Sequence, residues 1–171
     1  TILFETNAVL TAPYWSANDG TNPTTGAITI NKNYITVDGG TNGIIRNAAN
    51  GEGLANAAKS AGIYIGTADT VEIKNLSILD IYVKTPGSAT VVAGTYGIFG
   101  GNNVHSNLLI HHNIIRDAGN TISLIYPANQ TSSNWNVYNN TLSRACATIV
   151  FADGSSNAIL GPTPKSADTD L

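Results

Sequence analysis

Glu5, Asp38, Lys74, His111 and Tyr138 each follow a large apolar residue: Phe4, Val37, Ile73, Ile110 and Val137 in turn. Together they offer carboxylates, an amine, an imidazole and a phenol, the groups on which general acid–base chemistry draws. β-Elimination of a polysaccharide uronate needs a base for the proton beside the carboxylate, an acid for the departing oxygen and a cation to neutralise the carboxylate. Lys74 or His111 suits the base, Tyr138 the acid, and Glu5 with Asp38 a calcium or sugar contact. The structural alternative stands beside this reading. A charged and aromatic row is also what a solvated sheet face carries, and opposite charges on adjacent strands stabilise each other.

A second series gives Asp80, Asp117 and Arg144. Paired carboxylates one strand apart could bind Ca²⁺ or share a proton in glycoside hydrolysis. They could equally cap turns, with Arg144 pairing with Asp117. Tyr14 and Trp15, after Pro13, offer ring faces for stacking on sugar or a lid over apolar core. His105 and His112 fall at a turn and a corner. They read as hydrogen-bonded or exposed imidazoles, since no Cys or acidic neighbour in sequence completes a metal-ligand set.

Such residues can act together only if something stacks them. Ile110 and Val137, Asn113 and Asn140, and Ile115 and Leu142 are each 27 residues apart, and the register extends backwards. An apolar series runs Phe4, Val37, Ile73, Ile110, Val137. Three residues later come Asn7, Gly40, Leu76, Asn113 and Asn140. Two beyond these come Val9, Ile44 or Ile45 after a two-residue insertion, Ile78, Ile115 and Leu142. A further strand series reads "AITI" (27–30), "GIYI" (62–65), "TYGIF" (95–99), "TISLI" (121–125) and "TIVF" (148–151); its outward positions Tyr64, Gly97, Ser123 and Val150 carry nothing that titrates near neutrality.

Short strands at a period of roughly 20–50 residues mark a solenoid whose turns bury apolar side chains against one another. Strands would stack in parallel about 4.8 Å apart, like residue over like. Asn and Gly tolerate the left-handed backbone of a tight corner, so Asn7, Gly40, Asn113 and Asn140 are expected to form a structural ladder there, with Leu76 a departure. Insertions at 11–26, 48–61 and 83–94 each follow the third strand of a unit and should gather on one side.

The stretches "NYITVDGGTNGII" (33–45), "VEIKNLSIL" (71–79), "NLLIHHNIIRDAGN" (107–120) and "NWNVYNNTLS" (134–143) resemble coils of the pectate-lyase-like right-handed parallel β-helix superfamily. The resemblance implies an all-β, single-stranded right-handed parallel β-helix of about five coils over residues 1–160, with 161–171 a polar tail or linker. It also implies an extracellular, cell-surface or virion-surface protein directed at polysaccharide, in the manner of the superfamily's lyases, hydrolases, tailspikes and adhesins. None of the family's catalytic signatures has a counterpart in these residues. A structural solenoid within a fibre, spike or filament is therefore the alternative expectation, and catalysis the weaker one.

Composition limits partners. The 171 residues are 11% charged with a formal net charge of −3 and eight Lys and Arg. Scattered cations argue against nucleic acid, because phosphate neutralisation needs them clustered. No apolar run reaches the roughly 20 residues that span a bilayer. Cys146 is alone and reads as a small buried side chain. A solenoid turn cannot close its own apolar cross-section, and no capping helix precedes "ILF" (2–4). The ends are expected to self-associate or to meet flanking coils, so an isolated chain should assemble or aggregate.

Overall fold

The computed structural model describes residues 1–15, 22–85, 94–125, 133–151 and 159–160, with backbone alone for 102, 125, 146–151 and 159–160. The described residues contain strands and no helix. The strands are β1 (Ile2–Leu3), β2 (Val9–Ala12), β3 (Ile28–Ile30), β4 (Ile35–Asn47), β5 (Ser60–Ile65), β6 (Val71–Leu79), β7 (Thr95–Asn102), β8 (Ser106–His111), β9 (Ile114–Ile125), β10 (Ser133–Tyr138), β11 (Thr141–Phe151) and β12 (Ile159–Leu160). They form one strongly curled sheet in which the strands pair in parallel, an arrangement compatible with a parallel β-helix. The all-β expectation is met.

Like stacks on like. Val37, Ile73, Ile110 and Val137 lie in register and are fully buried. Past a corner, Leu10, Ile45, Ile78, Ile115 and Leu142 form a second row. Ile28, Ile63, Ile98, Ile122 and Ile149 form a third. Each fully buried aliphatic side chain in these rows contributes roughly 1.5–3 kcal/mol.

The corners follow a rule of five. Thr70, Asn75 and Asp80 have positive φ, as do Asn107, His112 and Asp117, and again Asn134, Asn139 and Arg144. A left-handed residue thus closes each run of four extended ones. Six of the nine are Asn or Asp, whose short polar side chains suit this conformation.

Asn113 and Asn140, by contrast, are absent from the positive-φ set and are buried to 1% and 0% exposure. They form the expected ladder, but as interior residues one position past the left-handed corner. Asn140 Oδ1 accepts from the Asn113 backbone N–H and from its Nδ2, both at 3.0 Å. Asn113 Oδ1 accepts from the Leu76 N–H at 3.1 Å, and Asn113 Nδ2 donates to the Ile73 carbonyl at 3.0 Å. Asn140 Nδ2 reaches the Ile110 carbonyl at 2.9 Å. The amides therefore bond the backbone where the strand ladder breaks to turn.

The first repeat departs from the expected register. Ile2, not Phe4, pairs with Val37. Val9 pairs with Ile44, as one of the two expected registers has it, but Ile44 lies over Ser77, so it is Leu10 and Ile45 that stack in line with Ile78. The reason is a wider corner in β4: Val37 to Ile44 is seven residues, whereas their partners Ile73 and Ser77 are four apart. A Cβ on Gly39 would lie 2.1 Å from the Asn75 carbonyl oxygen, and Gly40 takes φ +55, so glycine is required where this corner bulges. Gly40 thus belongs to the bulge and not to the Asn ladder. Asn7 belongs to the exposed left-handed column, with φ 60, accepting from Asn42 Nδ2 at 3.0 Å.

Described parts of the three insertions touch in succession. Trp15 N–H donates to Ser60 Oγ at 2.9 Å, and the Glu52 N–H donates to the Val83 carbonyl at 2.9 Å. Beside them, Tyr96 stacks on Phe99 at 4.0 Å and its hydroxyl donates to Asn22 Oδ1. Phe99, not Gly97, occupies the column of Tyr64 and Ser123, and this outward face is buried under aromatic packing. Residues 161–171 lie outside the described residues, as does the Cys146 side chain.

Replacing Asn140 by Ala strips the Asn113 N–H and the Ile110 carbonyl of partners in a dry interior. With each buried orphan costing about 1–3 kcal/mol, Asn140→Ala should lose about 3 kcal/mol in denaturant unfolding. Asn7→Gly, at an exposed left-handed position, should change stability by under about 0.5 kcal/mol. Equal effects from both would contradict the interior ladder.

Candidate functional site

Strand alternation sends Val37, Ile73, Ile110 and Val137 inward and the residue after each outward. Register pairs Asp38 with Lys74, Lys74 with His111, and His111 with Tyr138, so four of the five expected residues form one stripe across β4, β6, β8 and β10. Glu5 does not join. Leu3 pairs with Asp38, and the wide corner carries Glu5 onto an exposed turn.

Glu72 is the residue that the sequence columns missed. It lies two before Lys74 and so on the same face. Its Oε1 accepts from Lys74 Nζ at 3.1 Å and lies 3.1 Å from His111 Nε2, while Oε2 accepts from Thr36 Oγ1 at 3.2 Å. Lys74 Nζ also lies 3.9 Å from Asp38 Oδ2. The His111 ring stacks parallel on Tyr138, with centroids 4.9 Å apart. Period-two alternation within "VEIK" (71–74) is the signal that could have found Glu72.

His112 was also missed as part of this set. Its Nδ1 lies 2.7 Å from His111 Nδ1, and its Nε2 lies 3.3 Å from Asn139 Nδ2. Donor bookkeeping gives one arrangement that satisfies every contact with a single proton on each ring. A carboxylate only accepts, so His111 donates from Nε2 and accepts at Nδ1. His112 therefore donates from Nδ1 and accepts from the Asn139 amide at Nε2. A directed chain runs Asn139, His112, His111, Glu72.

Charge follows these contacts. Burial pushes the Glu72 carboxyl up, but hydrogen bonds from His111 and Lys74, the Lys74 charge and the Thr36 hydroxyl outweigh it, leaving Glu72 below its usual range. The Gly40 N–H and the Asn75 amide hold Asp38 low in the same way. Beside the stripe, across the first corner, an open groove of about 290 Å³ is lined by Asn42, Asn75, Ser77, His112 and Ile114.

Asp80, Asp117 and Arg144 share the second left-handed corner. Arg144 Nη2 donates to Asp117 Oδ2, and Arg116 Nε lies 3.7 Å from the same oxygen. Burial pushes Asp117 up against the pull of Arg144. This arrangement is the ion-paired corner foreseen as the alternative to a Ca²⁺ site. Among the described residues no group of three or more His, Cys, Asp and Glu gathers to hold a metal ion. His105 is buried with Nδ1 2.9 Å from the Ala68 carbonyl and Nε2 2.5 Å from that of Gly100. Tyr14 is 44% exposed, whereas Trp15 is half-buried with its indole nitrogen enclosed, and the Trp15 backbone bonds Ser60 Oγ and the Ala61 N–H. Both belong to the insertion side, away from the stripe.

No family model matches the chain, and comparisons with curated proteins and with solved structures likewise find no match. No helix among the described residues is long and apolar enough to cross a membrane.

Because the folded Glu72 carboxyl titrates below its unfolded range, the stability it contributes is present above the unfolded value and lost as pH falls through the folded one. Partial exposure keeps that contribution under about 1 kcal/mol. Glu72→Gln should therefore be less stable than the parent near neutrality, and the difference should vanish in acid. Paired denaturant curves at neutral and acidic pH measure it; a gap that widens in acid would contradict the geometry.

Proposed function

We propose that this chain is a segment of a right-handed parallel β-helix of about five coils, akin to the pectate-lyase-like superfamily, working at a cell or virion surface as a polysaccharide-binding face. One observation carries the reading. The stripe Asp38–Lys74–His111–Tyr138 and the flanking column Asn42–Asn75–His112–Asn139 repeat polar and ring groups at one strand spacing, beside an open groove. A linear polymer lying along the stack would meet an amide or a ring in each successive repeat, at about 4.8 Å per strand.

Binding is favoured over turnover. Lys74 is already held by Glu72 and Asp38, and both nitrogens of His111 are engaged. An elimination base must reach a substrate proton, and these two candidates face their neighbours instead. The same commitments leave no surplus cation on the stripe for a uronate carboxylate. Neutral glycan, read by amides and ring edges, is thus the better match. The second reading, a structural shaft, draws on the buried Asn ladder and isoleucine rows, which serve stiffness without any ligand.

Affinity electrophoresis against neutral and uronate polysaccharides, with and without Ca²⁺, separates these readings. Retention on a neutral polymer is expected, weakened about two- to tenfold by Tyr138→Ala if a ring contact worth ~0.5–1.5 kcal/mol is lost. Ultraviolet absorbance of an unsaturated product should not develop. Failure to be retained on any polymer would leave the shaft, and product formation would restore the lyase.

A further inference from the structure

Two imidazole nitrogens of the same kind, His111 Nδ1 and His112 Nδ1, meet at 2.7 Å. Their far nitrogens are each held from behind: His111 Nε2 by the Glu72 carboxylate at 3.1 Å, and His112 Nε2 by the Asn139 side-chain amide at 3.3 Å. Histidines that ligate metals characteristically have the other ring nitrogen fixed by a carboxylate or carbonyl, which orients the ring and raises the basicity of the ligating atom. His111 is further fixed by its stack on Tyr138, while His112 is exposed and adjoins the groove.

The geometry points to a transition-metal site: His111 Nδ1 and His112 Nδ1 as a bidentate pair for a cupric or nickel ion, with Glu72 and Asn139 as the outer partners. This goes beyond polysaccharide binding and does not depend on it. At metal–nitrogen bonds of about 2.05 Å, nitrogens this far apart subtend roughly 80–85° at the ion, while tetrahedral ligation would need them about 3.3 Å apart. The observed spacing is set by the hydrogen bond between the rings and relaxes when the bond gives way to the ion. Imidazole nitrogens suit Cu²⁺ and Ni²⁺, and Cu²⁺ stands above Zn²⁺ in the usual affinity order.

No proton need be lost on binding. His111 keeps its Nε2 proton on Glu72. His112 moves its proton from Nδ1 to Nε2, where the Asn139 amide turns its oxygen inward to accept it. His112 is exposed beside the groove, so an ion can reach the pair from solvent. His105 does not compete, since it is fully buried, with its nitrogens against the Ala68 and Gly100 carbonyls, whereas His112 is exposed.

Titration of the full chain with CuCl₂, NiCl₂ and ZnCl₂ by calorimetry, with electron paramagnetic resonance of the copper form, tests this. The expected result is one Cu²⁺ per chain with hyperfine coupling to two imidazole nitrogens. His112→Asn restores the residue type found at this corner in neighbouring repeats, so the fold is kept; it should weaken Cu²⁺ at least tenfold. Glu72→Gln should weaken it about tenfold, as loss of an outer partner does. Unchanged affinity in His112→Asn, or a spectrum with fewer than two imidazoles, would overturn the site.

Discussion

A chain that stacks flat rows of parallel strands must turn sharply and often, yet each turn interrupts the ladder that satisfies its backbone. The left-handed residue at every fifth position is the device that meets this constraint. It bends the path in one step, and the strand resumes its alternation one position out of phase, with inward Ile73 followed by inward Leu76. Where the corner is buried, a side-chain amide completes the bonding. Asn113 and Asn140 do this for the Leu76 N–H and for the Ile73 and Ile110 carbonyls. Remove the corners and the isoleucine rows lose register; remove the amides and the corners lose their partners.

That regularity is what places Asp38, Lys74, His111 and Tyr138 on one line. None of them is near another in sequence, and their alignment costs no separate device. Fixed spacing has a consequence for chemistry as well. Groups brought within about 5 Å by the sheet find each other before they find a ligand, and here they have done so: Lys74 on Glu72, His111 on Glu72 and Tyr138, Arg144 on Asp117. A stripe of satisfied groups presents shape and hydrogen-bonding edges to a partner more than it presents reactive atoms.

The rows were legible in the sequence because burial imposes a strict apolar identity at inward positions: Val37, Ile73, Ile110 and Val137 could be aligned by type alone. The first repeat was legible only in part: Val9 does pair with Ile44, but Phe4 satisfies the same apolar pattern as Ile2, and only the bulge at Gly39 and Gly40 shows that Ile2 and Leu10 carry the inward rows. Asn at a corner proved ambiguous in a different way. A left-handed Asn and an interior Asn bonding the backbone look identical as letters, and "NN" (139–140) contains one of each. Glu72 escaped because the columns followed one residue per strand, although alternation puts two on each face. Phe99 escaped because a face covered by insertions no longer alternates apolar with polar.

The first corner also contains its own internal control. Asn7, Asn42, Asn75 and Asn139 hold the left-handed position in their repeats, and His112 holds it in the remaining one. Left-handed backbone disfavours most side chains and accommodates Asn readily, so the turn itself gives no reason for an imidazole. A residue tolerated against local preference is where function is best sought. At that spot the imidazole does something an amide of Asn's length does not: it extends the Glu72–His111 contact across the corner and ends in the groove. The stripe and the groove are thereby one connected surface, joined through the one corner whose side chain the turn did not require.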